Sequence, residues 1–180
     1  MFEEKVLASS SKSELYRNLN QQLAGLLTGE RDLIANTANF SSLVYLMLLD
    51  LNWAGFYFLR GNDLVLGPFQ GKPACVRIPV TPSPRGVCGN AAFHRKTYVV
   101  EDVHEFPGHI ACDSASNAEI VIPLIVGSKM IGVLDIDSPK LSRFDDEDRE
   151  GLEAMVATLL TMTDFNLIIN PQILLSSAQK

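Results

Sequence analysis

The sequence predicts an α+β domain in which a central antiparallel β-sheet carries the N- and C-terminal helices on one face and an enclosed pocket on the other. Three observations predict it. Helical periodicity is concentrated at the two ends of the chain, runs rich in Val, Ile and aromatic residues joined by hairpin turns fill the middle, and no repeated strand–helix–strand alternation calls for a parallel sheet. A single domain is expected over 1–180, with its core in 10–165 and a tail in 166–180.

Taken in order, Ser11-Lys12-Ser13-Glu14 fits a capping box. Leu15, Leu19, Leu23, Leu26 and Leu27 follow at helical spacing until Gly29 supplies a stop. From Arg31 to Leu51 a second helix is expected, and its stretch Leu43–Leu49 is apolar all round, as a deeply buried helix would be. The period then changes. Trp53–Leu59, the turn Gly61-Asn62-Asp63 and Leu64-Val65-Leu66 read as a β-hairpin, with Trp53 and Tyr57 on one face and Ala54, Phe56 and Phe58 on the other. Gly67–Pro73 reads as a loop, Ala74–Val80 as a strand, Thr81–Gly86 as an exposed connection and Val87–His94 as a short helix with Cys88 in its first turn. Tyr98-Val99-Val100 is a short strand, and Glu101–Asn117 a long polar loop of the kind that is usually functional in a small domain. Glu119–Val126, Gly127-Ser128 and Met130–Asp137 form the clearest hairpin. The acids Asp145–Asp148 then open a long helix whose inward stripe is Leu152, Met155, Val156, Leu159 and Leu160.

Composition narrows the function classes. The net charge is −6, with 15 basic against 21 acidic residues and no basic cluster interleaved with aromatics, so neither nucleic acid nor an anionic membrane is an expected partner. The N-terminus lacks a charged, then apolar leader, and the longest apolar run stops at Asp50, far short of the roughly 18 residues of a membrane span. A cytoplasmic protein is expected. Three cysteines in a reducing compartment argue against a structural disulfide framework and leave buried filler, metal ligation or redox chemistry.

Spacing weighs against metal. Cys75 and Cys88 are 13 apart and Cys88 and Cys112 24 apart, so there is no C-x-x-C knuckle. Zinc would need His109, Cys112, Cys88 and His94 to converge by folding, and no resident metal is expected. Redox chemistry fits better. Cys112 lies in the polar, Gly- and Pro-punctuated stretch Pro107-Gly108-His109-Ile110-Ala111-Cys112-Asp113, where a thiol is reachable. Positive potential would favour a thiolate at Cys112 from His109, and at Cys88 from the start of its helix. Cys75, alternating within an expected strand, is as readily explained by core packing.

Asp135 and Asp137 are the second anomaly. Two apart in a strand otherwise built of Val, Leu and Ile, they project from one face with Val133, while Leu134 and Ile136 point to the other. Neighbouring buried carboxylates raise each other's pKa, so one can hold a proton near neutral pH and act as a general acid. The bland alternative is a strand end emerging into solvent at Ser138-Pro139. Glu119 opens the preceding strand and could reach the same face. Trp53 and Tyr57 form either an aromatic wall for a methyl or ammonium group or ordinary core.

These residues, in order, resemble those of the free methionine-(R)-sulfoxide reductases, which are single GAF-like domains. The resemblance is carried by Asn52–Tyr57, Gly67–Lys72 with Cys75, Gly86–Gly89, Pro107–Asp113, Ser116–Val121 and Gly132–Ser138. It implies reduction of free methionine-(R)-sulfoxide, with Cys112 as the nucleophile that becomes a sulfenic acid and Cys75 or Cys88 as the resolving thiol. It implies that Glu119, Asp135 and Asp137 bind the substrate amine and assist protonation of the sulfoxide, and that Trp53 and Tyr57 hold the methyl end. No bound cofactor is implied, only an external dithiol reductant, thioredoxin. One departure stands out: Thr81-Pro82-Ser83-Pro84 lengthens the link between Cys75 and Cys88 relative to the family pattern. The class competing with an enzyme is a GAF-like sensor that binds a small molecule without turnover. The amphipathic terminal helices suit a homodimer.

Overall fold

A computed structural model describes residues 11–108 and 114–166. Helix α1, Lys12–Leu27, begins where the Ser11 side chain accepts the backbone N–H of Glu14, and α2, Leu33–Met47, where Asp32 caps Ala35 in the same way. Six strands follow: β1 Trp53–Arg60, β2 Asp63–Gly71, β3 Arg77–Pro79, β4 Tyr98–Val100, β5 Ala118–Val126 and β6 Lys129–Ser138. Helix α3, Gly86–His94, lies between β3 and β4, and α4, Asp146–Met162, closes the fold. The strands form one sheet in the order β3-β2-β1-β6-β5-β4, every pairing antiparallel. No described helix is long and apolar enough to cross a membrane.

The two faces sort as the period-two alternation requires. Ala54, Phe56, Phe58, Ile120, Ile122, Leu134 and Ile136 point into one core, which α1, α2 and α4 cover with Leu19, Leu23, Phe40, Val44, Leu152, Met155 and Leu159. On the opposite face Trp53, Tyr57, Val121 and Val133 meet Val87, Cys88, Ala91 and Ala92 of α3. The helical layer is pinned where α1 crosses α4. A Cβ at Gly151 would lie 2.1 Å from the Tyr16 ring, so only glycine lets the helices approach this closely. Tyr16 donates to buried Asp148, which also pairs with Lys12 and Arg143. Asp145 and Asp148 complete a reciprocal capping box at the start of α4.

Three expected boundaries move. Helix α2 stops at Met47, where the Leu48 N–H makes the last bond to Val44, so the expected helical stretch to Leu51 is shortened. Strand β2 runs on to Gly71 through residues read as a loop. The register shifts between Gly55 and Tyr57, so Gly67 and Pro68 together stand opposite Phe56 in a bulge, where a proline's missing N–H breaks no ladder. Strand β3 is correspondingly short, Arg77–Pro79, and Cys75 lies before it rather than alternating within it.

Candidate active site

The strand register assembles the site. One row across the sheet runs Gly71, Trp53, Asp137, Glu119, Val100, and the next on the same face runs Phe69, Gly55, Asp135, Val121, Tyr98. Glu119 and Asp137 are therefore direct cross-strand neighbours, Asp135 sits one row away, and Trp53 flanks them from β1. Helix α3 closes over this patch and delivers Cys88, whose thiol donates to Glu119 Oε1 at 3.8 Å. Glu119 and Asp135 are only 6% and 7% exposed, and Cys88 is buried.

Burial decides the charge states. Desolvation, then the charges of Asp135 and Asp137, hold the Glu119 carboxyl well above the usual range. Desolvation likewise raises Asp135 from 3.8 to about 6, against the lowering effect of hydrogen bonds with Cys88 and Glu119. The cluster thus carries at least one carboxyl proton near neutral pH, which is what a general acid needs. Asp135 Oδ1 is buried and has no hydrogen-bond partner among the described residues.

Aromatic rings wall one side. Trp53 stacks on Tyr57 at 5.8 Å between centroids and on Phe69 at 5.4 Å. Their polar tips hold the segment that follows β2: Trp53 Nε1 donates to the Lys72 carbonyl and Tyr57 Oη to that of Cys75. Desolvation, then Asp135 and the other acidic groups nearby, push the Tyr57 phenol far up, so it remains a neutral donor. Between the rings and the acids lies a cavity of about 20 Å³, lined by Trp53, Tyr57, Lys72, Pro73, Ala74, Asp135 and Asp137. That is room for one water.

A GAF domain family model matches residues 40–161. The free methionine-R-sulfoxide reductase of Escherichia coli (strain K12) is 54% identical over 158 residues, spanning 86% of this chain and 94% of that protein. The chain belongs to the free methionine-R-sulfoxide reductase family of GAF domains. Among solved structures, a putative GAF sensor protein from Burkholderia vietnamiensis is 58% identical with a TM-score of 0.81, over 86% of this chain and 96% of that one. The free methionine-R-sulfoxide reductase from Neisseria meningitidis, in complex with its substrate, is 40% identical with a TM-score of 0.81, over 87% of this chain and 92% of that one.

In this member of the reductase family the fold brings Glu119, Asp135, Asp137, Trp53, Tyr57 and Cys88 together. Cys75 is half-buried and disulfide-bonded, while Cys88 is a free thiol. Cys112 and His109, and with them that wall of the expected pocket, lie outside the described residues. The ends of their loop are described: the Gly86 N–H bonds to the Gly108 carbonyl at the start of α3, and Ser116 accepts from Asn52 just before β1. Both anchors are at the acid end of the sheet. His104, in the same loop, is exposed and bonded to Asn117.

One expectation is corrected. The start of α3 does not make Cys88 a thiolate, because desolvation, Asp135 and Glu119 all raise its pKa well above the usual value. Full burial beside two acids outweighs a helix-terminus effect of about 1 kcal/mol. Two contributors escaped sequence reasoning. Gly55 has no side chain to obstruct the rings, since a Cβ there would lie 2.3 Å from Phe69 Cβ and 2.6 Å from Trp53 Cη2, and Phe69 completes the stack. Both lie in stretches that carry the family resemblance, which was the available signal.

Proposed function

We propose that this chain reduces free methionine-(R)-sulfoxide to methionine, with Cys112 as nucleophile. The observation that carries the reading is the buried, proton-holding cluster of Glu119 and Asp135 facing the Trp53–Tyr57 wall. Sulfoxide sulfur is a poor electrophile until its oxygen is protonated or strongly hydrogen-bonded, so a carboxyl acid and a thiol must meet at one substrate. The acids also suit the substrate ammonium, and the rings the S-methyl group. The preference for the R epimer rests on the family alone.

The steps balance as follows. The Cys112 sulfur takes the sulfoxide oxygen, giving a sulfenic acid and releasing methionine. A resolving thiol condenses with the sulfenic acid, expelling water and forming a disulfide. An external dithiol protein, thioredoxin, reduces that disulfide and becomes oxidised itself. Cys75 is the resolving thiol in this reading, because it is disulfide-bonded while Cys88 remains a free thiol. The disulfide-bonded Cys75 directly follows the cavity lining Lys72–Ala74. A reducing, cytoplasmic compartment suits this cycle. In this reading an enclosed pocket admits the free amino acid and excludes a methionine within a polypeptide, whose flanking backbone it could not accommodate.

Assay of free methionine-R-sulfoxide with thioredoxin, its reductase and NADPH should give stoichiometric methionine. Without reductant, about one methionine per chain and loss of two thiols are expected. Cys112→Ser should release none. Cys75→Ser should release one and stop at a trappable sulfenic acid, and Cys88→Ala should still form the disulfide. Tight binding of the sulfoxide without any methionine would replace this reading by that of a ligand sensor.

A further inference from the structure

We propose that Cys88, Glu119 and Asp135 form a site for one thiophilic divalent cation, Zn²⁺ being the natural candidate, and that its binding closes the acid cluster to substrate. The three side chains come from α3, β5 and β6, and one ligand atom from each lies within 4.8 Å of the other two. The Cys88 Sγ to Glu119 Oε1 separation of 3.8 Å is close to the spacing of ligand atoms around a tetrahedral zinc, roughly 3.5 Å for bonds of about 2.3 Å to sulfur and 2.1 Å to oxygen. A helix and two paired strands hold the donors, so little has to be ordered on binding.

A second observation points the same way. Asp135 Oδ1 is buried without a hydrogen-bond partner on a residue only 7% exposed. Among the described residues none of the ion pairs reaches Glu119 or Asp135, leaving two buried carboxyls and a thiol without a cation. The cavity of about 20 Å³ that touches Asp135 has room for the single water that would serve as the fourth ligand of an ion held between the three side chains. One sulfur and two carboxylate oxygens select a borderline ion such as Zn²⁺ over Mg²⁺ or Ca²⁺, which shun sulfur. On binding, the metal displaces the thiol proton and the carboxyl proton held by the acid cluster, and both leave to solvent. The ion occupies the oxygens proposed to receive the substrate ammonium, so it acts as an inhibitor rather than a resident cofactor.

The site shares residues with the proposed reaction but does not depend on it, and the test separates the two. In Cys75→Ser/Cys112→Ser, which cannot turn over, Cys88 is the sole thiol. Titration with Co²⁺ should develop a thiolate-to-metal charge-transfer band at one ion per chain, and one equivalent of Zn²⁺ should erase it. Glu119→Gln or Asp135→Asn in that background should weaken binding by at least tenfold, as even outer-sphere losses cost roughly 10–100-fold. Oxidised wild-type protein, with Cys88 as its free thiol, is the second arm if the double variant does not fold. In wild-type turnover Zn²⁺ should compete with the sulfoxide. No band at millimolar Co²⁺ in the folded protein, or an affinity that neither acid variant changes, would overturn the proposal. Failure of the methionine assay alongside a normal Co²⁺ titration would sink only the reductase reading.

Discussion

Removing the charge of Asp135 should make the protein more stable while crippling its site. Its carboxyl is 7% exposed, has one oxygen without a partner among the described residues, and is raised by burial from 3.8 to about 6. A group whose pKa is raised on folding contributes stability below its unfolded value and loses it as pH rises through the folded one. The interval from 3.8 to about 6 corresponds to ~3 kcal/mol at about 1.4 kcal/mol per pH unit, forfeited by the wild type above pH 6. Asp135→Asn does not titrate. Its amide can donate to the Glu119 carboxyl but still buries a polar group, so a net gain of ~1–3 kcal/mol is expected at pH 8, or ~3–10 °C in Tm. The gain should shrink steadily toward pH 4.5. Urea unfolding of both proteins across this range, with chelator present and the same disulfide state in each, measures it. A variant less stable than wild type at pH 8, or a difference that does not change with pH, would refute the reasoning.

Gly55→Ala should cost ~1–3 kcal/mol through overpacking against Phe69 and Trp53, and should raise KM for the sulfoxide more than it lowers kcat if, as proposed, the rings hold the methyl end and do not supply the acid. Chemical denaturation and steady-state kinetics separate the two effects. Tyr16→Phe removes a donor to buried Asp148 and should destabilise by ~1–3 kcal/mol in urea, without affecting turnover. Asp145, lowered to about 2 chiefly by its hydrogen bond with Lys12, adds stability that is present above pH 3.8 and lost as pH falls through about 2. Asp145→Asn keeps a capping oxygen and should cost about 0.5 kcal/mol or less for the lost exposed pair, whereas Asp145→Ala also loses the cap and should cost about 1 kcal/mol more. Both variants can be compared with wild type in acid titrations followed by circular dichroism.

How far the site could be read before folding depends on what each residue's role requires. Side-chain alternation is a local property of an extended backbone, so the division of Trp53 and Tyr57 from Ala54, Phe56 and Phe58, and of Asp135 and Asp137 from Leu134 and Ile136, needed only the sequence. The turn at Gly127-Ser128 and the acids opening α4 were local in the same sense. Strand β2 was legible only in part, because Gly67-Pro68 signals a break unless a partner strand absorbs the pair in a bulge.

By itself, then, the sequence determined the α+β class, the helices at both ends, the two faces of each central strand and the family signature. Only tertiary structure decided that Glu119 stands beside Asp137, that α3 lowers Cys88 onto the acids, and that Gly55 makes room for stacked rings. The physical reason is that proton affinity depends on desolvation and on charges brought from distant positions in the chain. A helix start promised a thiolate at Cys88. Burial against residues 31 and 47 positions later in the sequence made it a thiol.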